Sequence, residues 1–86
     1  MTASMPVRVM VEDAWDQVTL DLSPATPVEE TKRRALTMAQ VARNPDDYMV
    51  KYRGAELLDE RRTLAESGIV SNAPLIVMAR RRRAVR

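Results

Sequence analysis

Two runs near the start of the chain, Val7-Arg8-Val9-Met10-Val11 and Val18-Thr19-Leu20-Asp21-Leu22, repeat with a period of two, and only the polar, turn-like stretch Glu12 to Asp16 and Gln17 separate them. A period of two is the mark of a half-buried strand, and two such strands joined by a short polar loop make a hairpin. A hairpin with one apolar face needs something laid over it, and the next segment has the right character.

In SPATPVEETKRRALTMAQVARNP the apolar spacing changes from two to that of a helix. Thr26 suits an N-cap, Pro27 the first helical position, and Glu29 stands where a capping box needs it. Glu29 and Glu30 sit at the positive end of the helix dipole, and Arg43 would sit at the other end before Asn44-Pro45 stops the helix. Val28, Thr31, Lys32, Ala35, Leu36, Met38, Ala39 and Ala42 share one side; only Val41 is out of place. The spacing predicts an amphipathic helix of about four turns. Beyond it, YMVKYRG reads as a third strand turning at Gly54, Leu57-Leu58 as a short apolar pair, and Leu75 to Ala79 as a continuous apolar run suited to a central strand. Hairpin, helix, then three strands is an α+β order, a β-grasp: a mixed sheet with one helix on one face and the last strand parallel to the first.

Composition removes whole classes of chemistry. The 86 residues contain no Cys and no His, which excludes disulfides, thiolate or imidazole zinc sites, cysteine nucleophiles and the commonest general base. With two glycines, Gly54 and Gly68, there is no phosphate-cradling loop, and no Ser lies in a nucleophile-elbow setting. The expectation is a non-enzyme with no cofactor and no metal. The longest apolar run is far too short for a bilayer and the start lacks a secretory pattern, so a cytoplasmic chain is expected. The core must be built from Val, Leu, Met and Ala, because Trp15, Tyr48 and Tyr52 are the only aromatics. Without the five arginines of RRRRAVR, nine basic residues face 12 acidic ones, so a body of charge −3 carries a strongly basic end. The chain is read as one domain over residues 1–79 and an Arg-rich tail over 80–86.

The stretch VKYRGAELLDERRTLAESGI resembles ubiquitin's succession of strand, turn glycine, short leucine strand, T-L pair and closing isoleucine, and the resemblance spans residues 6 to 80. It implies that Val50 and Tyr52 face the core, that Leu58, Leu64 and Ile69 pack an irregular segment beneath the helix, and that Lys32 is largely buried. It also marks a departure: Arg83-Ala84 stands where ubiquitin's conjugating diglycine falls, and no Gly-Gly lies upstream. Conjugation and sulfur carriage are therefore disfavoured, and a covalent modifier with an atypical C-terminus is kept as an alternative. Among relatives without the diglycine the chain is similar to the small YukD-like proteins of bacterial type VII secretion and to the ubiquitin-like subunit of toluene monooxygenases. Both are non-catalytic binding modules, which implies an adaptor or accessory subunit with a protein partner.

If the core side of the sheet takes Val7, Val9, Val50, Tyr52, Leu75 and Val77, strand parity sends Arg8, Met10, Met49, Lys51, Ile76 and Met78 to the open side. Three methionines and an isoleucine rimmed by Arg and Lys would suit a partner surface that re-packs; scattered exposed apolar residues are also ordinary. Lys51 takes the centre of the patch that ubiquitin makes apolar, so ubiquitin's own partners are not expected to bind. Arg80, Arg81, Arg82, Arg83 and Arg86 read as a solvated tail, as a contact for an acidic protein or anionic surface, or as a nucleic-acid binder. Trp15 is expected to fold back over a core short of aromatics, the alternative being an exposed anchor. A monomer is expected over an obligate oligomer.

Overall fold

The structure, a computed structural model, describes residues 4–80. Strands β1 (Met5–Val11) and β2 (Asp16–Leu22) form the hairpin around a 3-10 turn at Glu12–Ala14; helix α1 (Val28–Met38) follows, then β3 (Tyr48–Tyr52), β4 (Ala55–Glu56) and β5 (Pro74–Ala79). The five strands lie in the order β2-β1-β5-β3-β4, with β1 and β5 parallel at the centre and the other pairings antiparallel. This is the mixed sheet and single helix that the alternation of periods requires.

The core lies between sheet and helix. Val7, Val9 and Val11 of β1, Val18, Leu20 and Leu22 of β2, Val50 of β3, and Leu75 and Val77 of β5 are buried against Val28, Ala35 and Leu36 of α1. Each such aliphatic contributes about 1.5–3 kcal/mol on burial. Tyr48, fully buried, supplies the aromatic bulk. Tyr52 is only half-buried, packed at the core's rim, with the Arg53 guanidinium 5.4 Å from its ring centroid.

The helix is shorter than its apolar pattern suggests, about three turns rather than four. It ends where Gln40 takes a left-handed φ of 61°. There the Val41 N–H reaches back to the Leu36 carbonyl at 2.9 Å and the Gln40 N–H to Thr37 at 3.0 Å. This is a Schellman cap with glutamine in the place glycine usually fills. Val41 thus leaves the helix and turns its side chain back onto the core, which resolves its misplacement on the helical wheel. Arg43 and Asn44 lie beyond the helix.

The start of α1 also departs from expectation. Pro27 is the N-cap and no side chain caps it. Thr26 has its hydroxyl occupied by the Ser23 N–H and its own N–H bonded to the Ser23 carbonyl, so the reciprocal bonds of a box with Glu29 are both pre-empted. The first helical donors, Val28 and Glu29 N–H, go instead to the carbonyls of Arg62 and Glu60, each at 2.9 Å. The capping box that does form is the other T-x-x-E in the chain. Thr63 N–H donates to Glu66 Oε1 at 2.9 Å and Glu66 N–H to Thr63 Oγ1 at 3.1 Å. One helical turn follows and closes at Gly68, whose φ of 80° ends it. Leu64 and Ile69 are buried beneath the helix as the resemblance implies, whereas Leu58 is 81% exposed and its neighbour Leu57 packs inward instead.

Candidate functional site

Strand parity places the six predicted residues as expected: Arg8, Met10, Met49, Lys51, Ile76 and Met78 all alternate with buried neighbours and share the open side of the sheet. The register orders them. One row across the strands reads Gln17, Met10, Ile76, Lys51, Glu56, and the next pairs Met78 with Met49. Ile76 is 41% exposed, the three methionines and Lys51 half-buried. The apolar group is therefore continuous over β1, β5 and β3. Lys51 sits on its β3 side, with no ion pair among the described residues. Arg8 stands apart: it lies opposite Pro74, and its guanidinium donates to the Asn72 carbonyl at 3.3 and 3.4 Å. A shallow depression of about 500 Å³ opens beside the patch between Glu12, Met49, Lys51, Met78 and Arg80.

Of the predicted tail contacts, Arg80 is described; Arg81, Arg82, Arg83 and Arg86 lie outside the described residues. Arg80 is held by the domain. Its N–H donates to the Asp47 carbonyl at 2.8 Å, its Nη1 contacts Glu56 Oε2 at 2.8 Å, and its Nη2 lies 3.6 Å from Glu60 Oε2. Glu60 in turn pairs through Oε1 with Lys32 Nζ at 2.7 Å, and Lys32, 2% exposed, donates to the Tyr48 carbonyl at 2.9 Å. The burial of Lys32 agrees with the resemblance. Its partners are a tertiary arrangement with no sequence signal, since Glu60 sits in an irregular segment without period. Two carboxylates, Glu56 and Glu60, face the Arg80 guanidinium.

Trp15 corrects the expectation. It is 81% exposed, at the tip of the β1–β2 hairpin, with a left-handed φ of 49°. The loop beneath it is fixed: Trp15 N–H bonds the Glu12 carbonyl at 3.1 Å, and Asp13 accepts the Tyr48 hydroxyl at 2.6 Å. That hydrogen bond, helped by burial, raises the Tyr48 pKa above its ordinary value of 10.0. The aromatic that is fully buried is Tyr48, and the indole stays outside.

Among the described residues no group of acidic side chains is arranged to hold a metal, and no helix is long and apolar enough to cross a membrane. No protein-family model and no curated protein sequence matches the chain. Solved structures do. A ubiquitin from Caldiarchaeum subterraneum superposes with a TM-score of 0.77 at 18% identity, over 95% of this chain and 100% of its own. The ubiquitin-like domain of an Arabidopsis thaliana protein gives 0.75 at 23%, covering 96% and 85%. A designed protein based on ubiquitin gives 0.75 at 24%, covering 96% of each chain. At these identities the likeness shows the fold, a ubiquitin-like β-grasp.

Proposed function

We propose that this chain is a non-catalytic, non-covalent protein-binding module, an adaptor or accessory subunit of a multiprotein assembly, of the kind found among small bacterial ubiquitin-like proteins. It docks through the open sheet face. The observation that carries this reading is the continuity of Met10, Ile76, Met49 and Met78 across three adjacent strands, beside Lys51, which makes no ion pair among the described residues. Methionine adapts to a partner's contour, and the cation selects a partner with an acidic group at that edge. Trp15 extends the surface from the hairpin tip as a rigid aromatic anchor, since the loop that carries it is pinned from the core by Asp13 and Tyr48.

The test is a pull-down with N-terminally tagged full chain from its native host, washed natively and in denaturant and read by mass spectrometry. A partner retained natively, lost in denaturant and lost with Met78→Asp supports the reading, provided the variant's circular dichroism matches wild type. A folded Met78→Asp that still captures the partner sinks the sheet-face assignment. A conjugate that survives denaturant replaces the whole reading with covalent modification.

A further inference from the structure

The chain has no cysteine, so its sulfur chemistry rests on six methionines. They are unevenly placed. Met5 is buried at the start of β1, 6% exposed, and Met38 stands at the end of α1, 54% exposed; Met1 lies outside the described residues. The remaining three, Met10, Met49 and Met78, are half-buried on the open sheet face. The register gathers them. Met49 lies directly opposite Met78 across β3 and β5. Met10 lies opposite Ile76, two residues along β5 from Met78, which puts it on the diagonal from Met78 at roughly 8 Å by backbone spacing.

None of the three belongs to the core, whose sheet side is made of valines and leucines. A polar atom added to these side chains therefore enters solvent and leaves the packing alone. The depression of about 500 Å³ beside Met49 and Met78 admits a small oxidant to both. Lys51 lines the same depression and makes no ion pair among the described residues. Its ammonium is a donor for the oxygen that a sulfoxide carries.

We infer that Met10, Met49 and Met78 form a reversible oxidation site that sets whether the open face can dock; the second half of this rests on the docking reading above. The oxidant is a peroxide. A lone pair on Sδ attacks one peroxide oxygen, the S–O bond forms and the O–O bond breaks. Sulfur gives up two electrons to the peroxide. The proton of the transferred oxygen passes to the departing one, which leaves as water or an alcohol. Each conversion turns a flexible apolar side chain into a polar one, and sulfoxide reductases restore the thioether. A sulfoxide pressed against an apolar partner is desolvated with nothing to bond its oxygen. The face then loses the softness that lets methionine fit a partner's contour.

The experiment treats full chain with graded hydrogen peroxide, removes the peroxide and locates the sulfoxides by peptide mapping. Met10, Met49 and Met78 are expected to oxidise after Met38 but about tenfold faster than Met5, with the circular dichroism of the fold retained. The site is overturned if they react no faster than Met5, or if the fold is lost as they react. The oxidised chain is then offered to the partner identified by native capture. Affinity is expected to fall about tenfold and to return after treatment with methionine sulfoxide reductases. Taken as the ratio of affinity before and after peroxide, Met38→Leu is expected to keep the full effect and Met78→Leu to lose part of it. Unchanged binding by the oxidised wild type, or an effect that vanishes in Met38→Leu, overturns the control of docking. Reduced wild type that captures no partner through this face ends the docking reading and that control with it, whereas the peptide map decides the oxidation site by itself.

Discussion

The β3–β4 side of the sheet and the β2 side differ in how their polar groups are used. On the first, Lys32, Glu60, Arg80 and Glu56 tie the helix, the irregular segment, the end of β5 and β4 into one chain of charges. On the second, β1 is the only strand that pairs with β2 among the described residues, the hairpin tip holds an exposed indole, and Arg33 makes no ion pair among the described residues. A domain of this size has few polar contacts to distribute. Concentrated on one side, they hold the fold together there and leave the other side able to meet a partner without first giving anything up.

The sharpest way to break this contrast is at Glu60. Glu60→Ala leaves the Lys32 ammonium buried with only the Tyr48 carbonyl, and the expected cost is about 3–5 kcal/mol, read as a lowered urea midpoint. Lys32→Met, which removes the buried charge itself, is expected to cost much less. Equal losses would mean that the charge network is not what holds this side. Next comes Asp13, which joins the core to the hairpin tip. Asp13→Asn weakens the bond to the Tyr48 hydroxyl, with an expected cost of about 1–3 kcal/mol, and lowers the Tyr48 pKa toward its ordinary value. The sign follows from the raised pKa: the folded chain holds the Tyr48 proton more tightly than the unfolded chain. The contribution is therefore whole below the unfolded value of 10.0 and fades as pH climbs through the folded one. Tyrosinate absorbance and stability followed together above that pH should show this fading in wild type and less of it in Asp13→Asn. The smallest effect has the opposite sign. Trp15→Gly relieves a left-handed conformation at a position where the indole buries little, and about 1–2 kcal/mol of added stability is expected in thermal unfolding. If that variant also loses the partner, the loop retains strain for the sake of binding. A less stable Trp15→Gly would mean the indole supports the fold after all.

Much of this molecule is legible in the order of its periodicities, and the reason is physical. Val7 to Val11 and Val18 to Leu22 reveal which face is buried because each strand has one wet side, and the same parity gave Met10, Lys51, Ile76 and Met78 their common face. What the sequence does not signal depends on partners distant in the chain or on local geometry without a residue signature. The T-x-x-E spacing places a capping box at Thr26 and Glu29, yet the Ser23 carbonyl takes the Thr26 N–H and the Glu60 carbonyl takes the Glu29 N–H. The end of α1 was invisible because Gln40, not glycine, takes the left-handed position. A core short of aromatics favours folding Trp15 back over it, but the indole is exposed and Tyr48 is the fully buried aromatic. Glu60 offered no signal at all, since its role exists only once the irregular segment folds beneath the helix.

The central pairing of β1 with β5 has a consequence for how the chain is made. The strand nearest the start of the sequence waits in the middle of the sheet for one completed only at Ala79. During synthesis the hairpin and helix can form early, but β1 has an open flank until the last strand clears the ribosome. Closing so long a loop makes the final step slow compared with local hairpin or helix formation. Until then, the nascent chain shows the unpaired backbone of β1 to chaperones and to neighbouring chains, and a stall a few codons short of β5 would leave the core without Leu75 and Val77.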